Sequence, residues 1–158
     1  MKMGKQNLRF GTAWVVFALA LALHVTDEAT HNFLGTYNPS VRWIRARVPF
    51  LLLPTFTFRV WLTLLVAAIL LLLCVSPLAF RGHLWLRRAA WPIGILVGAL
   101  NALGHISGSI YFRRWMPGVY SSPVLLLAAI YLLVAGKAGR ESNARDGQAA
   151  ARLDRAAP

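Results

Sequence analysis

Leu62-Thr-Leu-Leu-Val-Ala-Ala-Ile-Leu-Leu-Leu-Leu-Cys-Val75 contains no charged side chain and no turn residue. A run this long and unbroken is not a core helix of a soluble domain; it reads as hydrocarbon-spanning. Outward from it, the apolar character extends from about Pro54 to Phe80, interrupted only by Arg59. The same criterion draws three further segments, 11–33, 89–112 and 119–136, each near the ~20 residues that a bilayer crossing requires. The chain has 158 residues and is 58% hydrophobic, which leaves no room for a second folded unit. The expected fold is an all-α bundle of four transmembrane helices over residues 1–136. Lys2, Lys5 and Arg9 precede the first segment as in a signal peptide. That segment runs straight into His24 without a cleavage site, so an uncleaved first helix is expected.

The connections carry the charge. Loop one begins with the turn residues Gly35, Asn38 and Pro39. It continues as Val41-Arg-Trp-Ile-Arg-Ala-Arg47, a pattern for a short interfacial helix. Loop two holds Arg81, His83, Arg87 and Arg88 between the interface anchors Trp85 and Trp91. From Lys137 the composition turns to Ala, Gly, Arg and polar residues, which predicts a disordered basic tail over 137–158. The N-terminus, loop two and the proximal tail carry Lys2, Lys5, Arg9, Arg81, Arg87, Arg88, Lys137, Arg140 and Arg145. Loops one and three carry only Arg42, Arg45, Arg47, Arg113 and Arg114. The excess places both termini in the cytoplasm. In a soluble chain a net charge of +12 would point to nucleic acid. Between apolar segments it fits anionic headgroups and topology control, so the partner is the bilayer and not nucleic acid. The lone Cys74, inside an apolar run, supports no disulfide framework and faces lipid or the core.

Against this background two of the five acidic residues stand together in the first span, as His24-Val-Thr-Asp27-Glu28-Ala-Thr-His31. A charge at bilayer depth costs at least ~2.5 kcal/mol, and residues kept there at that cost line functional sites by default. At ~100° per residue, His24, Asp27, Glu28 and His31 share about a 100° arc of one helix face. His24 with Glu28, and Asp27 with His31, have the i, i+4 spacing by which a helix supplies two metal ligands. Helix three adds Asn101 and His105 at the same spacing. Gly94, Gly98, Gly104 and Gly108 lie near that face and allow close helix approach. The segment Met116-Pro-Gly-Val-Tyr-Ser121-Ser122-Pro123 forms a turn and a capped helix start. Ser121 and Ser122, with Arg113 and Arg114, are the expected contacts for an anionic headgroup. Arg59 either snorkels to the surface or pairs with Asp27 or Glu28, and His83 is expected in solvent.

These three motifs, in this order, resemble the HXXEE family of small bacterial multi-pass membrane proteins. The name pattern appears as His24-Val25-Thr26-Asp27-Glu28, with Asp in place of the first Glu; Asn101 to His105 and Pro117-Gly118 with Ser121-Ser122 supply the rest. The resemblance covers about residues 14–135 and implies a protein of a bacterial inner membrane, but names no reaction.

Three function classes are compatible with these residues. A metal enzyme would use His24, Glu28, His31 and His105 as ligands for zinc, iron or manganese, opening a position for water or oxygen against a lipid-soluble substrate. A metal-free acid–base enzyme would use Asp27 or Glu28 as proton donor, His24 or His105 as acceptor and Asn101 for orientation. Its palette is similar in composition, not in motif order, to small four-helix membrane isomerases of the emopamil-binding type. A non-catalytic proton, cation or lipid binder would use the same groups, with a homodimer as one way to build a path.

Overall fold

The computed structural model describes residues 4–137, whose regular elements are all helices, with no strand among them. The helices are α1 (Lys5–Thr30), α2 (Phe33–Arg47), α3 (Phe58–Phe80), α4 (Leu84–Phe112) and α5 (Ser122–Lys137). Of these, α1, α3 and α4 are long and apolar enough to cross a membrane; α5 is apolar but shorter. Except for Lys137, the expected tail lies outside the described residues.

Helix α1 is the central element. In its most apolar window 56% is buried, against 11% for α3 and 22% for α4. Its buried positions include Phe10, Trp14, Phe17, Leu21, His24 and Glu28, a stripe of alternating three- and four-residue steps. The lower part of that stripe packs against Leu86 and Ala90 of α4 and Leu125, Ala128, Ala129, Leu132 and Ala135 of α5. The Trp14 indole donates to the Leu72 carbonyl at 2.8 Å, which ties α1 to α3. Burying an aromatic ring of this kind contributes about 1.5–3 kcal/mol. The candidate site is the upper continuation of the core stripe.

Four boundaries differ from the sequence reading, each for a local reason. The first span starts at Lys5 and stops at Thr30, because Asn32 takes a left-handed conformation (φ 55°) that asparagine tolerates. The helix expected over Val41–Arg47 is longer than that stretch. Gly35, Asn38 and Pro39 lie inside α2 instead of forming a turn. The Asn38 side chain holds them there, donating to the Phe56 carbonyl (2.9 Å) and accepting from its N–H (3.1 Å). Helix α3 steps at Val75, where Pro77 brings no N–H to continue the ladder. Helix α4 begins at Leu84 and therefore takes Arg87 out of the loop. That side chain is fully buried, donating to Asn7 Oδ1 (2.9 Å) and the Ala135 carbonyl (3.3 Å).

Within α4, Ile93–Leu100 is π-helical, following Pro92. The wider turn matters for register. Buried positions run Leu86, Ala90, Gly94, Gly98, Ala102, all four apart. In an α-helix that spacing drifts ~40° per step, and a π turn reverses the drift. Gly94 and Gly98 thereby stay against α5 and α1: a Cβ on Gly98 would sit 2.6 Å from Ala129 Cβ and 2.8 Å from the Phe17 ring. Gly104, expected in the same seam, faces open space instead. Cys74 is exposed on the outside of the bundle, as are Arg59 and His83.

Candidate functional site

Three elements meet at the upper end of α1. Helix α1 supplies His24, Asp27 and Glu28, α4 supplies His105, and the Pro117–Ser121 turn closes over them. All four side chains are buried. Glu28 Oε1 lies 3.0 Å from His105 Nε2 and 3.7 Å from His24 Nε2, and the two imidazole rings meet edge-on with centroids 4.9 Å apart. One donor atom each from His24, Glu28 and His105 fall within 4.8 Å of one another. These contacts set α1 and α4 face to face through His24, Glu28 and His105.

The turn makes the closure possible. Gly118 has φ +86°, and a Cβ there would lie 3.0 Å from Glu28 Cγ and 3.0 Å from His105 Nδ1. Only glycine meets both conditions. The Gly118 carbonyl accepts from the Ser122 hydroxyl at 2.7 Å, which fixes the turn to the start of α5. The Phe33 ring covers His105 from the α2 side, at 5.6 Å between centroids.

Asp27 has a different task from Glu28. Its Oδ2 accepts from the Ser121 N–H at 2.9 Å and from the Ser121 hydroxyl at 2.8 Å. A carboxylate from one helix therefore satisfies donors at the N-terminus of another, where the helix dipole favours negative charge. The Ser121 donors expected at a headgroup meet the protein's own acid instead, and the Ser122 N–H and hydroxyl both donate to the Gly118 carbonyl; Arg113 and Arg114 lie exposed. His31 stands at the rim, its side chain 51% exposed, 2.8 Å from Asp27 Oδ1 and 2.9 Å from the Asp27 carbonyl. Its ring is tilted against Tyr120 with centroids 5.4 Å apart, and it is outside the group of converging donors. Asn101 is half-buried and no hydrogen bond links it to the cluster; Ala102 takes the fully buried position beside His105.

The hydrogen-bond accounting assigns the state of His24. Ser121 Oγ has one proton; the Asp27 carboxylate at 2.8 Å is a shorter and stronger acceptor for it than the Gly118 carbonyl at 3.2 Å, and with the proton there the Ser121 lone pairs accept from the His24 Nδ1–H at 2.9 Å. The His24 Nε2 is then an unprotonated lone pair. It is fully buried, has no hydrogen-bond partner, and lies beside Glu28 and His105. A buried acceptor left unmade costs about 1–3 kcal/mol.

The sequence profile described as "Protein of unknown function with HXXEE motif" matches residues 13–132. The chain belongs to the HXXEE family. No curated protein and no solved structure matches it. The HXXEE match encloses every residue of the cluster, from His24 through Ser121. In this HXXEE chain the pattern's residues divide: His24 and Glu28 converge with His105, while Asp27 binds the turn. Ser121 and Phe33 have roles not drawn from sequence. Ser121 stood out as a helix cap and a headgroup contact, not as a partner of Asp27 and His24, and Phe33 carried no signal beyond its apolarity.

Proposed function

We propose that this HXXEE protein is an integral membrane metalloenzyme of four spans with both termini cytoplasmic. In this reading His24 Nε2, Glu28 and His105 Nε2 hold a divalent zinc, iron or manganese ion and act on a lipid-soluble substrate from a bacterial inner membrane. The observation that carries this is the fully buried, unpartnered His24 Nε2, its lone pair set among acid and imidazole. Two histidines and one carboxylate form the donor set of catalytic zinc sites and of non-haem iron sites, both of which keep positions open. A metal held there supplies Lewis acidity toward a water or substrate oxygen. The chain's own residues do the rest. Asp27 and Ser121 hold the His24 tautomer from behind, as metal-bound histidines are held by carboxylates elsewhere. Gly118 and Phe33 exclude water from the Glu28–His105 contact.

A second reading is favoured by one distance. Glu28 and His105 at 3.0 Å form a ready proton-transfer pair, with Glu28 as donor and His105 as acceptor, and need no metal. Metal analysis of detergent-purified protein after metal-replete growth separates the two. The metal reading expects close to one ion per chain, lost in Glu28→Gln and His105→Ala variants that keep the wild-type elution volume. It also expects the ion to be retained in His31→Ala. A metal-free wild type transfers the assignment to the acid–base pair, and loss in His31→Ala returns His31 to the ligand set.

A further inference from the structure

A groove of about 570 Å³ lies between α2 and the end of α4, lined by Pro39, Ser40, Trp43, Ile44, Tyr111 and Phe112. Its walls are apolar and aromatic, and its size is that of a small-molecule site. Two of its aromatic walls carry guanidinium groups. Arg47 stacks over the Trp43 ring at 3.6 Å, and Arg114 stands over the Phe112 ring at 5.6 Å. Arg114 also lines a neighbouring depression of about 370 Å³ with Arg113 and Trp115. All the acid-containing ion pairs among the described residues involve histidine, so neither Arg47 nor Arg114 is neutralised by a carboxylate. An apolar cleft with two uncompensated guanidiniums at its aromatic rim matches an amphiphile that is anionic at one end and apolar at the other. We propose that this groove binds an anionic phospholipid, the phosphate held by Arg47 and Arg114 and an acyl chain laid against Trp43, Ile44 and Phe112.

The site is separate from the metal reading. Phe112 follows His105 by seven residues, about 10 Å along α4 at 1.5 Å per residue. It does not depend on Ser121, whose donors go to Asp27, or on Ser122, whose hydroxyl goes to the Gly118 carbonyl. The charge complementarity also selects the lipid: a zwitterionic headgroup offers the same phosphate beside a cation that the two arginines repel.

Trp43 provides the readout. The full chain is reconstituted in phosphatidylcholine vesicles containing a minor fraction of acyl-brominated phosphatidylglycerol, or of acyl-brominated phosphatidylcholine as the reference. Tryptophan quenching is then compared between wild type and Trp43→Phe. The expected result is a Trp43-dependent component quenched at least twofold more by the anionic lipid, lost in an Arg47→Gln, Arg114→Gln double variant. Both arginines are exposed, so the variant is expected to keep the wild-type unfolding midpoint, which is measured alongside. Equal quenching by the two lipids overturns the proposal. So does an anionic excess that survives the double variant, or one abolished by millimolar inorganic phosphate, which would make the site one for free phosphate.

Discussion

Gly118 and Asp27 show how much of the site depends on single atoms. A methyl group at Gly118 meets Glu28 and His105 at 3.0 Å, on a backbone already at φ +86°. Gly118→Ala is expected to destabilise the protein by ~1–3 kcal/mol, from the strained conformation and the displaced side chains together. A thermal unfolding midpoint equal to wild type would show that the turn does not close on the cluster as described. Ser121 acts one bond further out. Without its hydroxyl, His24 Nδ1 loses its acceptor and the ring its fixed tautomer. On the metal reading, Ser121→Ala is expected to weaken metal binding about 10–100-fold while leaving stoichiometry intact at saturating metal. A competition titration against a chelator of known affinity measures this, and unchanged affinity would remove Ser121 from the support of His24. The sequence made His24, Glu28 and His105 legible because ionisable groups inside apolar spans have few benign explanations. It could not separate Asp27 from Glu28, adjacent residues of the same chemistry. Their division follows from the partner each meets, Ser121 for one and His105 for the other. His31 shared the arc but lies one turn nearer the surface. Arg87, read as a loop charge, gave no hint that Asn7 and Ala135 would surround it.

At the scale of the helix, α4 is where sequence arithmetic failed and the structure explains why. Reading α4 at a constant 3.6 residues per turn puts Gly94, Gly98, Gly104 and Gly108 on one seam. The π-helical stretch Ile93–Leu100 shifts the register, so the seam passes through Ala102 to His105 and leaves Gly104 outside. Two alanine substitutions should therefore have opposite signs. Gly98→Ala forces its Cβ into Ala129 and Phe17, and overpacking of this kind costs ~1–3 kcal/mol. Gly104→Ala meets no atom within 4 Å and gains ~0.5–1 kcal/mol from reduced backbone freedom. Paired denaturation curves in one detergent test the contrast; equal shifts would mean that the π segment does not set the seam. Because His105 follows that segment, its approach to Glu28 is a consequence of where the π turn ends. Helix existence and apolar length were readable from composition, whereas a π turn arises from packing around Pro92, Gly94 and Gly98. The absorption of Gly35, Asn38 and Pro39 into α2 has the same character: the Asn38–Phe56 bonds outweigh the local turn preference.

For the whole molecule, the arrangement about a bilayer follows from which ends lie together. The site end holds His31, the Pro117–Gly118 turn, α2 and the end of α4; the opposite end holds Asn7, Gly82, Arg87 and the close of α5. These two ends alternate along the chain as four crossings require, provided that α5 completes the fourth. In the proposed topology the excess of Lys and Arg puts the Asn7 end in the cytoplasm, and the candidate site then opens toward the outer leaflet. Arg42, Arg45 and Arg47 of α2 would face outward against that rule, at a surface where anionic headgroups offer them counter-charge. Cysteine labelling tests the arrangement directly, in a Cys74→Ser background because Cys74 is exposed. Ala46 on α2 and His83 before α4 are both exposed and belong to opposite ends. Ala46→Cys is expected to react with a membrane-impermeant maleimide in intact spheroplasts, and His83→Cys only after the membrane is opened. The reverse pattern would invert the protein and turn the site toward the cytoplasm. Labelling of both in intact spheroplasts would mean an even number of crossings between them, with α3 lying outside the bilayer rather than spanning it.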